Sequence, residues 1–136
     1  MQKLARKAAN SNNFKHLVSS FPSVQLLDAW VRSHFRYMTE PYEIVLSPDL
    51  CLELITSQGF FVGDCDDVAT FESALFASLA FPTKLVAIKT EQGNDDFLHV
   101  FVQSWIGNGG WMTFDPTVPV QQVGVHAEYG RLEMMI

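Results

Sequence analysis

Three short motifs carry the residues able to do covalent chemistry: Gly63-Asp64-Cys65-Asp66-Asp67, Leu98-His99-Val100 and Trp111-Met112-Thr113-Phe114-Asp115-Pro116. They supply a cysteine, a histidine and an aspartate, in that order. A thiol nucleophile, a base to take its proton and a carboxylate to orient the base are the parts needed for acyl transfer. The chain has only two cysteines and four histidines, so few other residues could assemble such a set.

Each residue also has a plainer reading. Cys65 opens an apolar helical run, where the dipole and unpaired backbone N–H groups favour a thiolate. Those N–H groups can also hold an oxyanion. Asp64, Asp66 and Asp67 act in the opposite sense and raise a neighbouring thiol's pKa, so a histidinium has to do much of the activation. The plain alternative is a buried cysteine at a helix start. His99 lies in Phe97-Leu98-His99-Val100-Phe101-Val102, where a hydrogen-bonded core histidine is the alternative, and Asp115 before Pro116 could simply begin a turn. A hairpin joins the last two residues. A two- or four-residue loop puts His99 and Asp115 on opposite faces, whereas an odd loop or a bulge puts them on one face. Gly107, Gly109 and Gly110 permit a three-residue loop with a left-handed glycine.

The elements that must position these motifs are readable. Residues 1–13 form a helix or a frayed arm. Ser23 starts a helix whose stripe is Val24, Leu27, Trp30, Val31 and Phe35, and Pro41 stops it. Ser47-Pro48-Asp49 starts a second helix and Gly59 ends it. Asp64 as N-cap and Asp67 three residues on make a capping box for a third helix over about 65–80, apolar nearly all round. Strands follow at 84–89, 97–106 and 111–115, with Gly107-Asn108-Gly109-Gly110 as the hairpin loop and another short strand after Val118. Helices first and an antiparallel sheet after is an α+β pattern with one central helix packed on the sheet.

Length and composition fit one domain over 1–136, with 1–22 as a candidate N-terminal arm. Hydrophobic residues are 48%, charged residues 18%, and eleven Phe make the core aromatic. A net charge of −6 without a basic stripe argues against nucleic acid. No run approaches the roughly eighteen apolar residues of a membrane span, and the first twenty residues lack a signal peptide's apolar stretch. Two cysteines are no disulfide framework, and Cys51 reads as a buried thiol, so the expected setting is cytoplasmic. No metal or cofactor is expected. The aspartates around Cys65 lack the spacing of a calcium loop, and His16, His34, Cys51 and His126 are too scattered along the chain for zinc.

The three motifs, the apolar helix between them and Trp30-Val31-Arg32 upstream resemble the transglutaminase-like superfamily over roughly residues 24–118. The acidic Gly-Asp-Cys-Asp-Asp is similar to compact versions in bacteria and tailed phages. The resemblance implies a papain-like α+β fold, with Cys65 as nucleophile, His99 as general base and then acid, and Asp115 as orienter. It implies a protein or peptide substrate and a cysteine protease or amidase. The alternatives are transglutaminase-type crosslinking and a catalytically silent module in a phage or bacterial assembly, which would be virion-associated. Hydrolysis is favoured because so small a chain has little surface for two protein substrates. Candidates for the oxyanion or substrate contacts are Gln58, Tyr42 and Asp64, although Gln58 could only cap its helix and Tyr42 only pack. The turn Ala80-Phe81-Pro82 lacks the glycine usual in these domains.

Overall fold

The computed structural model describes residues 1–39 and 44–136. Three helices come first: α1 (Gln2–Ala9), α2 (Asn12–Val18) and α3 (Val24–Ser33). Ser11 caps α2 and Ser23 caps α3 through their hydroxyls. The candidate arm is built into the fold: Ala5, Ala8, Phe14 and Val18 are buried, and the Gln2 and Arg6 side chains donate to the Met135 carbonyl, each at 2.8 Å.

The chain leaves α3 earlier than the expected stop at Pro41. Phe35–Tyr37 forms strand β1, and after α4 (Pro48–Gln58) it pairs in parallel with β2 (Phe61–Gly63). Phe35 aligns with Phe61, and their rings are 5.2 Å apart. The helical stripe predicted for Phe35 is overridden because this pairing buries its ring and satisfies the backbone; intrinsic propensity is too weak to resist that. Helix α4 has the predicted caps, with the Ser47 hydroxyl on Leu50 N–H, Pro48 in the first turn and Gly59 left-handed at φ 91°.

Next come α5 (Cys65–Ser78), β3 (Thr83–Lys89), β4 (His99–Trp105), β5 (Trp111–Phe114) and β6 (Gly130–Met135). The last four form an antiparallel sheet in the order β5-β4-β3-β6. The architecture is α+β. Helix α5 buries Val68, Ala69, Phe71, Ala74, Leu75 and Phe76 in one core with Leu85, Ala87, Val100, Val102 and Phe114 from the sheet. Val86, Ile88 and Phe101 form a small second cluster; alternation along β3 and β4 directs them to the other face. After α5, Ala80 takes a positive φ of 65°, the backbone state for which glycine is the usual residue. Among the described residues, no helix is long and apolar enough to cross a membrane.

Candidate active site

The acidic motif is a folding device before it is anything chemical. The Asp64 carboxylate accepts from the N–H groups of Asp66 and Asp67, at 3.1 and 3.4 Å. Asp67 returns the bond with Oδ2 on Asp64 N–H at 3.0 Å, while its Oδ1 accepts from Leu46 N–H at 2.7 Å. This reciprocal box fixes where α5 begins. Asp67 is fully buried, and burial pushes its carboxyl up to about 6 against the pull of those two N–H groups. Gly63 is required by the same contact, since a Cβ there would lie 2.5 Å from Asp67 Oδ2.

Cys65 is the first residue of α5. Its sulfur lies 3.9 Å from Asp66 Oδ1. Burial, then the charge of Asp66, push the thiol up to about 12; the Val100 backbone N–H works the other way, and Asp64 and Asp115 add to the rise. The capping box occupies the N–H groups of Asp64, Asp66 and Asp67, and Val68 N–H bonds the Asp64 carbonyl. Among the described residues the Cys65 N–H is therefore the first-turn donor left to face a ligand. Both cysteines are free thiols, and Cys51 is buried in the core.

The hairpin gives His99 and Asp115 one face. Trp105 pairs with Trp111 and Val102 with Phe114, so an odd number of residues, 106–110, separates the strands. Continuing that register sets Asp115 opposite Phe101, two residues along the strand from His99 and on its side. His99 Nε2 and Asp115 Oδ2 are 2.6 Å apart, and both residues are buried. A carboxylate at Nε2 makes that nitrogen the N–H donor, so in the neutral ring it is Nδ1 that keeps the lone pair. Asp115 Oδ1 accepts from the Thr117 N–H at 3.2 Å and the Thr117 hydroxyl at 2.6 Å. Burial opposes the Asp115 charge, but the hydrogen bonds from His99 and Thr117 outweigh it and hold the carboxyl below its ordinary value. No hydrogen bond joins Cys65 to His99 among the described residues. Cys65 meets the start of β4 through Val100.

Several contributors escaped the sequence reading. Arg32 pairs with Asp28 at 2.8 Å and donates to the carbonyls of Asp115 and Val118, the former at 2.9 Å, clamping the turn that carries Asp115. Glu72 is a fully buried carboxyl in α5 that faces the Asp28 carboxyl, and among the described residues neither of its oxygens makes a hydrogen bond of ordinary geometry. Burial first and then Asp28 push it well above the ordinary carboxylate range, with Arg32 opposing. A charged residue inside an otherwise apolar helix was the signal that could have flagged it. His126 stacks on His99 with ring centroids 4.2 Å apart, and its Nε2 is 3.9 Å from Asp115 Oδ2. Nothing in the local sequence around His126 announces that approach.

The oxyanion candidates fare differently. Gln58 is exposed and donates to the Phe60 carbonyl at 3.0 Å, the helix-end role weighed for it. Asp64 is the N-cap, and its carboxylate accepts hydrogen bonds, so it cannot donate one to an oxyanion. Tyr42 lies outside the described residues. Trp105 and Trp111 stack edge-on at 5.6 Å at the loop end of the hairpin, remote from His99 along β4.

Comparison with known proteins places the family and the fold. The family model described as the transglutaminase-like superfamily matches residues 7–116. Among solved structures, a candidate cysteine protease from Cytophaga hutchinsonii aligns with a TM-score of 0.57 at 20% identity; the match covers 96% of this chain and 42% of that one. This chain thus spans less than half the length of that protein. The Rad4–Rad23 complex bound to a 6-4 photoproduct UV lesion aligns at 13% identity over 85% of this chain and 34% of the other, with a TM-score of 0.40. No curated protein sequence matches the chain.

Proposed function

The chain belongs to the transglutaminase-like superfamily, and from that premise we propose that it performs cysteine-nucleophile acyl transfer at a carboxamide, with hydrolysis of a peptide or isopeptide bond as the overall reaction. The observation that carries the reading is the buried 2.6 Å bond between His99 Nε2 and Asp115 Oδ2, next to Val100, whose backbone N–H favours the thiolate of Cys65.

In this reading Cys65 rests as a thiol, because burial and Asp66 hold its pKa up to about 12. Reaction begins when His99 Nδ1 comes within reach and takes the thiol proton; catalytic hydrogen bonds are often long before substrate binds. Asp115 holds the ring in the tautomer that leaves Nδ1 free and stabilises the imidazolium that forms. The sulfur attacks the carbonyl carbon, and the oxyanion takes a hydrogen bond from the Cys65 N–H. The imidazolium returns the proton to the leaving amine as the C–N bond breaks. Water then attacks the thioester with His99 as base, giving the acid and the free thiol.

The test is turnover of peptide and isopeptide substrates by wild type, Cys65→Ala, His99→Ala and Cys51→Ala, together with thiol alkylation against pH. Turnover should vanish with Cys65→Ala and His99→Ala and survive Cys51→Ala. A covalent adduct at Cys65 should be seen by mass spectrometry in wild type. Incorporation of a labelled primary amine in place of hydrolysis would move the assignment to crosslinking. Identical alkylation profiles for wild type and His99→Ala, with no turnover, would move it to a non-catalytic module.

A further inference from the structure

The geometry points to a zinc-class metal site formed by His99, Asp115 and His126, whose occupation shuts down the site proposed above. Only the inhibition rests on the proposed function; the binding does not. One ligand atom from each residue lies within 4.8 Å of the other two. Two imidazoles and one carboxylate are a donor set for Zn²⁺ and similar first-row ions, and one oxygen ligand is too few for Ca²⁺ or Mg²⁺.

A tetrahedral ion with bonds of about 2.0–2.1 Å needs its ligand atoms about 3.3 Å apart. The observed separations from Asp115 Oδ2 bracket that value, with His99 Nε2 at 2.6 Å and His126 Nε2 at 3.9 Å. The first pair must open, and the second close, by roughly 0.6–0.7 Å each, which is within side-chain rotation.

Two further observations favour an ion. Among the described residues His126 Nε2 is a buried atom without a hydrogen-bond partner, and such an atom in a folded protein calls for an occupant or a role. Asp115 Oδ1 is already held by the Thr117 N–H and hydroxyl. That leaves Oδ2 to face both imidazoles and gives the ligand the outer-shell support that metal carboxylates have.

Occupation has a defined proton balance. The ion replaces the hydrogen that His99 Nε2 shares with Asp115. When Nε2 binds the ion, a neutral imidazole must carry its remaining proton on Nδ1. The lone pair that would accept the Cys65 proton is then gone, and Asp115 is committed to the ion. Cys65 is not among the ligands.

The test uses the whole chain, stripped with chelator, in wild type, His126→Ala, His126→Gln and Cys65→Ala, with folding checked by thermal unfolding. Titration calorimetry with Zn²⁺ should give one site in wild type and in Cys65→Ala. Both His126 variants should bind at least about tenfold more weakly, the lower end of what losing even a ligand's hydrogen-bond partner does. Co²⁺ should show ligand-field bands without thiolate-to-metal charge transfer. Zn²⁺ should inhibit wild-type turnover, and a higher concentration should be needed in the His126 variants. Equal affinity in wild type and in a folded His126 variant would overturn the site. So would loss of binding in Cys65→Ala, or a thiolate charge-transfer band. Metal binding without turnover in any variant would leave this site standing and remove the hydrolase reading. Turnover without metal binding would do the reverse.

Discussion

Asp66→Asn should make Cys65 more reactive toward alkylating agents. The Asp66 carboxylate oxygen is 3.9 Å from the sulfur. Two unit charges at that distance repel by about 4 kcal/mol in a protein-like dielectric and about 1 kcal/mol in water. Asp66 is half-exposed, so solvent screening trims the upper figure and leaves about 1–3 kcal/mol, or about one to two units of thiol pKa. Well below that pKa, the thiolate fraction rises about ten- to a hundredfold. A less basic thiolate is also a weaker nucleophile, which takes back a factor of about three to ten. The net gain is about three- to tenfold in the second-order rate with iodoacetamide at pH 7–8. Asn keeps the shape of the side chain while removing the charge, so burial of the thiol is unchanged. The assay is labelling at low salt, with peptide mass spectrometry separating Cys65 from the buried Cys51. The gain should shrink in 1 M salt as the charge is screened. A ratio of one or less at low salt would refute the argument that Asp66 helps hold the thiol protonated.

Gly63→Ala should destabilise the fold by about 1–3 kcal/mol, since its Cβ would meet the Asp67 side chain at 2.5–2.9 Å and the capping box would have to shift; chemical denaturation measures it. Ala80→Gly should stabilise by about 0.5–1 kcal/mol, because relief of the left-handed alanine at φ 65° exceeds the added entropy of the unfolded chain; a lower denaturation midpoint would contradict it. Glu72 is held well above the ordinary carboxylate range by burial and Asp28. As pH rises past its unfolded value of about 4.5, the unfolded chain releases this proton and the native state keeps it, so its contribution falls with pH. Glu72→Gln should therefore gain stability over wild type from pH 4.5 toward neutrality, with a limiting slope of about 1.4 kcal/mol per pH unit. An unfolding free-energy difference flat over pH 4–8 would show that the carboxyl titrates normally.

What could be read from the sequence was what local rules decide. The start of α5 is written in Gly63, Asp64 and Asp67, because a capping box is built from residues three apart. The shared face of His99 and Asp115 was only permitted by the sequence: the loop drawn over 107–110 is even, and it is Ile106 leaving the strand that makes the separation between Trp105 and Trp111 odd. What could not be read depends on contacts between distant segments. Phe35 looks helical by spacing and becomes a strand because Phe61, far along the chain, offers it a partner. Arg32 looks like the polar side of α3 and instead clamps the turn after Asp115. Ala80 takes a glycine's backbone, which nothing in Ala80-Phe81-Pro82 announces. His126 illustrates the limit most sharply. Between Phe114 and Gly130 the chain has no helix longer than a 3-10 turn and no strand, so neither helical nor strand periodicity could place its ring on His99. Scatter along the chain was the reason for setting His126 aside as a metal ligand. Yet metal ligands need only meet in space, and the return of this irregular segment over β4 and the end of β5 is what brings an eleventh residue after Asp115 back to its carboxylate.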